Sequence, residues 1–198
     1  MRISKLAQKA MAVSLATAVA VGTVAVAPAK DASAAAKSKK VTARVYFAGN
    51  TKKADCIWIK GDGSTAPKLE KRVKLTKGKK TKVTLTIKNP GKYKDGSKTV
   101  KMKKVAGATV LTVDLVDAMK TFKKVKCTGI SVKADGKKVK VKKIYQGQFE
   151  KNKPVAKNNW RISFYNKWGN QGDNSKTNNA KAFAFKKNLK ISFTVQPK

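Results

Sequence analysis

Val41-Thr-Ala-Arg-Val-Tyr-Phe-Ala48 and Lys82-Val-Thr-Leu-Thr-Ile-Lys88 decide the class of this fold. In the second stretch Val83, Leu85 and Ile87 alternate with Lys82, Thr84, Thr86 and Lys88. One face is therefore apolar and the other polar, which is the pattern of a half-buried strand and not of a helix. The same period of two recurs outward along the chain at Cys56–Lys60, Lys71–Leu75, Val100–Lys104, Thr109–Leu115, Lys126–Ala134, Lys137–Tyr145, Asn159–Asn166 and Lys190–Gln196. Between several of these runs stand Asp62-Gly63, Asn89-Pro90-Gly91, Asp95-Gly96 and Asp135-Gly136. Such pairs tolerate the positive φ angles of tight turns, so Asp135-Gly136 predicts a hairpin. One helical interruption is expected over Asp114–Phe122, where Leu115, Met119 and Phe122 share a face and Asp114 stands at the start as a cap. About ten short strands with one helix predict an all-β fold, a two-sheet antiparallel β-sandwich over residues 41–198.

The first residues carry a different message. Arg2, Lys5 and Lys9 precede an unbroken run of apolar and small residues from Ala10 to Ala29. Two small-x-small sites follow, Ala27-Pro28-Ala29 and Ala32-Ser33-Ala34. This order predicts a secretory signal peptide over residues 1–34, cut after Ala34. The alternative is a retained anchor, since the run approaches the length that spans a bilayer. Residues 35–40 then read as a short, flexible, basic tail. An extracellular or cell-wall location is expected, with no spanning segment in the mature chain.

The chain has 47 Lys+Arg, 10 Asp+Glu and no His, a formal charge of +37. A chain this charged is often disordered, but its hydrophobic fraction is 41% and its lysines alternate with apolar residues, which argues for folded strands. Arg contributes only Arg2, Arg44, Arg72 and Arg161. Bidentate reading of phosphates or guanines is accordingly not expected, and sequence-specific nucleic-acid binding with it. A positive field of this size attracts polyanions in a salt-sensitive way, so anionic cell-wall polymers and acidic glycans are expected partners of a monomeric protein. The same lysines also keep a β-protein soluble and its edges unpaired.

Catalytic machinery is sparse. Without His the commonest general base is missing. Glu70 and Glu150 are the only glutamates beyond Ala34 but sit in no glycosidase motif. Asp173 stands alone in its loop, a weak basis for calcium. No enzyme activity, metal or cofactor is expected. Cys56 and Cys127 either form the single disulfide that export permits or are two small side chains in a core.

The C-terminal half has a familiar order. Lys126–Val139 reads as strand, turn, strand; Asn159-Trp-Arg-Ile-Ser-Phe-Tyr-Asn-Lys-Trp-Gly169 follows; Phe183-Ala-Phe-Lys-Lys-Asn-Leu-Lys-Ile-Ser-Phe-Thr-Val195 closes the chain. From about Thr109 to Val195 this resembles the jelly-roll carbohydrate-binding modules of secreted bacterial polysaccharide-degrading systems. The resemblance implies a non-catalytic binder of polysaccharide. The chain departs from that pattern in filling outward positions with lysine, and it is expected to carry no attached catalytic domain.

Sugar binding needs aromatic faces for the pyranose ring and polar groups for its hydroxyls. Alternation in Asn159–Asn166 sends Trp160, Ile162 and Phe164 to one face and Arg161, Ser163 and Tyr165 to the other, an expected exposed ladder. Ile57 and Ile59 are expected to face inward, leaving Trp58 either on a binding surface or against a neighbouring sheet. Trp168, at a strand end, is expected to be accessible, and Tyr145, Gln146 and Gln148 form a polar-aromatic cluster. Trp58, Tyr145, Gln148, Arg161, Tyr165 and Trp168 are the ligand-binding candidates. The function expected is a secreted carbohydrate-binding protein that takes neutral or acidic glycan. The alternative is a basic structural protein held to the envelope by charge alone.

Overall fold

The computed structural model describes residues 37–148, 156–168 and 177–198. They form a two-sheet antiparallel β-sandwich, as the alternation predicts. The first sheet contains β1 (Ser38–Asn50), β2 (Ile57–Lys60), β3 (Glu70–Thr76), β7 (Gly107–Val116), β10 (Tyr145–Gly147) and β11 (Trp160–Asn166). Its order is β10-β11-β7-β1-β2, with β3 also paired to β1. The second contains β4 (Thr81–Lys88), β8 (Val125–Ala134), β9 (Lys137–Lys138) and β12 (Asn188–Pro197), in the order β4-β12-β8-β9. A separate hairpin pairs β5 (Lys92–Asp95) with β6 (Lys98–Lys101).

The core lies between the two inner faces. Ala43, Val45 and Phe47 of β1 stand opposite Leu115, Val113 and Leu111 of β7. Leu85 and Ile87 of β4 stand opposite Ile191 and Leu189 of β12. All ten are buried, and they belong to one continuous apolar cluster with Phe164, Phe183, Phe185 and Phe193. Both sheets place Lys, Thr and Ser on their outer positions because a period of two leaves no other place for them.

The turns work as their chemistry requires. Asp135 and Gly136 have φ of 48° and 86°, the two positive values that a two-residue hairpin loop demands. Asp135 also accepts the backbone N–H groups of Lys186, Lys187 and Asn188, tying the β8–β9 turn to the start of β12. Gly129, with φ of 58°, marks the bulge where β8 slips against β12 between Ser131 and Thr128.

Several expectations shift. β1 begins at Ser38, so Ser38, Lys39 and Lys40 pair with Thr76, Leu75 and Lys74 of β3. The strand expected over Lys137–Tyr145 is two short pieces, β9 and β10, because the chain leaves β8 after Val139 donates to Val132. Buried Asn178 then takes the place of a neighbouring strand. Its Oδ1 accepts the N–H groups of Lys142 and Lys143, and its Nδ2 donates to the carbonyls of Lys143 and Phe164.

The helix is shorter than expected, α1 (Ala118–Thr121), with a further 3-10 turn at Ala180–Phe183. Asp114 does not cap it. Leu115 is held in β7 between Ala43 and Trp160, and the strand ends only where Asp117 adopts a φ of 58°.

Candidate ligand-binding cleft

The register of the first sheet dictates where the expected binding residues point. On its outer face one cross-strand row reads Glu70, Arg44, Asp114, Arg161 and a second reads Tyr46, Thr112, Ser163, Tyr145. The third row is Trp58, Ala48, Val110, Asn166.

The first row is a closed set of ion pairs. Arg161 Nε and Nη2 donate to Asp114 at 2.5 and 2.7 Å, a two-pronged pair on a carboxylate that is 1% exposed. Asn159 Nδ2 reaches the same carboxylate at 3.4 Å. Arg44 donates to Glu70 and to the Tyr46 hydroxyl, and the Arg161 guanidinium lies over the Tyr46 ring. Arg161 is thus committed to holding a buried charge, which corrects its expected place on an exposed ladder.

Tyr165 and Ser163 correct that ladder further. β11 slips against β7 between Ser163 and Tyr165: Ser163 faces Thr112, but Tyr165 faces Leu111 on the core side. A bulge inserts one residue and so reverses the side to which the following side chain points. Tyr165 is consequently buried beside Phe183, ring centroids 6.1 Å apart, and burial raises its pKa. Ser163 is fully buried. Tyr145 is half-buried, and the Lys143 ammonium sits 4.8 Å from its ring centroid. Gln148 donates to the carbonyl of Lys157, and Gln146 to that of Cys127.

The two tryptophans stand apart from these. Trp168 is 55% exposed and Trp58 36%, the exposed large apolar side chains among the described residues. Trp58 opens on a cleft of about 810 Å³ between the β2 edge and the β5–β6 hairpin. Lys60, Lys88, Lys92 and Lys94 line it, against one carboxylate, Asp95. Tyr93 lines it too, its buried hydroxyl without a hydrogen-bond partner among the described residues. Of the six candidates, only Trp58 reaches this cleft. The lysines and Tyr93 were missed, although Asp95-Gly96 signals the hairpin that carries Lys92, Tyr93 and Lys94.

The cysteines are both free, Cys56 exposed beside the cleft and Cys127 buried on β8. Cys56 stands just before β2 of the first sheet and Cys127 on β8 of the second, and burial pushes the Cys127 thiol up to about 12. Among the described residues no three His, Cys, Asp or Glu come together that could hold a metal ion, and no helix is long and apolar enough to cross a membrane. Glu150, Asp173 and the residues of the expected signal peptide lie outside the described residues. Comparison with protein-family profiles, with curated proteins and with solved structures finds no match.

Proposed function

We propose that this protein is an exported, non-catalytic binder of polysaccharide, with a preference for acidic glycans, and that it binds through the cleft beside β2. The observation that carries this reading is an exposed Trp58 in a cleft lined by four lysines and one aspartate. An indole face covers the apolar face of a pyranose, and the lysines meet carboxylates on neighbouring sugars. The absence of catalysis is supported by how the carboxylates are spent. Glu70, Asp114 and Asp117 are in ion pairs, Asp62 accepts N–H and O–H groups of its own loop, and Asp135 accepts the N–H groups of Lys186, Lys187 and Asn188. The chain has no His, so the commonest general base is missing, and Asp95 is the one carboxylate lining the cleft.

The test is binding of polygalacturonate and of a neutral glucan at low salt and at ~1 M salt, where screening acts within ~3 Å. Stacking predicts a salt-resistant part of the affinity that Trp58→Ala removes, about 1.5 kcal/mol or roughly tenfold. Complete loss of retention at high salt, with no effect of Trp58→Ala, overturns the reading and leaves a protein held by charge alone.

A further inference from the structure

The outer faces of the two sheets differ in how far their cations are paired. On the first, the row Glu70, Arg44, Asp114, Arg161 pairs its cations with anions, while Lys40 and Lys74 stand opposite each other near the ends of β1 and β3. On the second, the rows read Lys82, Thr194, Thr128, then Thr84, Ser192, Ser131, then Thr86, Lys190, Lys133, Lys138. Lys190, Lys133 and Lys138 stand directly opposite one another on adjacent strands, and all are exposed. Like charges so placed destabilise a sheet. No Asp or Glu occurs in β4, β8, β9 or β12 to offset them. The nearest carboxylate along the chain, Asp135, is occupied by three backbone N–H groups.

We propose that this face is a second binding site, distinct from the Trp58 cleft, and that it takes a linear phosphodiester polymer of hydroxylated units. A groove of about 310 Å³ runs over it, lined by Lys82, Lys133 and Lys190 around Thr84, Ser131 and Ser192. The hydroxyls of Thr84 and Ser192 lie 3.1 Å apart in the middle. The sheet itself spaces the lysine stems at ~5 Å across strands and ~7 Å along them.

The chemistry of this face narrows the polyanion. It has no Arg, so a planar, two-pronged grip on any oxyanion is missing; lysine acts as a point charge, and together with the hydroxyl donors of Thr84, Ser131 and Ser192 it meets the oxygens of a tetrahedral phosphate. Its outward positions hold no aromatic ring, so neither bases nor pyranoses find a stacking partner. A polyanion bound here relieves the repulsion within the Lys190, Lys133, Lys138 row, which sets this row apart from the ion-paired row of the first sheet.

The test uses poly(glycerol phosphate) as probe, with binding measured calorimetrically between 50 and 200 mM salt. The triple variant Lys133→Gln, Lys138→Gln, Lys190→Gln is compared with a control of equal charge, Lys52→Gln, Lys53→Gln, Lys103→Gln, all exposed. The first is expected to lose at least tenfold in affinity and about 2 in the slope of log K against log salt, at ~0.7 per lost contact. The control is expected to lose less than threefold. Trp58→Ala is expected to leave this binding unchanged, which separates it from the cleft. Equal losses in the two triple variants overturn the site. Polygalacturonate or single-stranded oligothymidylate competing as well as poly(glycerol phosphate) at matched charge overturns the phosphodiester assignment.

Discussion

Breaking the Arg161–Asp114 pair gives the sharpest test of how the first sheet is held. Asp114 is 1% exposed and Arg161 12%, and two hydrogen bonds join them at 2.5 and 2.7 Å. Removing one partner of such a pair leaves an uncompensated buried charge, at a cost of about 3–5 kcal/mol. Arg161→Met is therefore expected to destabilise by about that amount. With a urea slope of about 2 kcal/mol/M, the unfolding midpoint falls by roughly 1.5–2.5 M. Replacing both partners, Asp114→Leu with Arg161→Met, removes the desolvation problem together with the attraction and is expected to come back to within about 1 kcal/mol of the parent. Urea denaturation followed by tryptophan fluorescence measures all three. The reasoning is refuted if Arg161→Met leaves the midpoint in place, or if the double variant loses as much as the single losses added together. A normal midpoint with lost glycan affinity would return Arg161 to the role of a ligand-binding residue.

The thiols make a simpler prediction. Native protein is expected to react with one equivalent of Ellman's reagent, at exposed Cys56, and with two after unfolding, because Cys127 is buried and its pKa pushed up to about 12; zero equivalents in the unfolded, unreduced protein would mean a bridge. Acid stability follows from two loop carboxylates. Asp62 is held at about 2, first by the Ser64 hydroxyl and then by the N–H groups of Ser64 and Thr65, and Asp135 is lowered by the N–H groups of Lys186, Asn188 and Lys187. Both folded values lie below the unfolded ~3.9, so their contribution is complete above about pH 4 and is lost as pH falls below it, for Asp62 toward about 2. Asp62→Asn with Asp135→Asn is expected to flatten the loss of thermal stability between those limits; an unchanged slope would remove these loops from the account.

How legible was this in the sequence? Val83, Leu85 and Ile87 sit inward as written, because β4 is regular over its paired length. The same rule failed at Tyr165, since the bulge beside it changes the parity of the strand and nothing in Ser163-Phe164-Tyr165 marks it. Asp114 looked like a helix cap because local spacing does not record the strand pairing that holds Leu115 extended or the guanidinium 47 residues away that claims the carboxylate. Trp58 was readable as an outward side chain, but the cleft beside it was not. That cleft forms where a hairpin comes to rest near an edge strand, a tertiary event that leaves only Asp95-Gly96 as its trace. The lysine rows were readable strand by strand; their lack of counter-charge is visible only once the strands are placed in order.

Lys88 connects the two proposed sites. It follows Thr86 on the outer face of β4, one row beyond Lys190, Lys133 and Lys138, and it also lines the Trp58 cleft with Lys92 and Lys94. An anionic polymer long enough to leave one site can therefore enter the other without crossing an acidic barrier on β4. Linked engagement raises affinity by about 10²–10⁴ over either site alone when one chain satisfies both. A size series of poly(galacturonate-co-glycerol phosphate) chains is expected to show two regimes. Short chains bind one site each and respond either to Trp58→Ala or to the Lys133, Lys138, Lys190 triple variant. Beyond the spanning length affinity rises by at least 10²-fold, and either variant alone abolishes that rise. Affinity that grows only in proportion to chain length, with the two variants acting additively at every size, would show that the sites work independently.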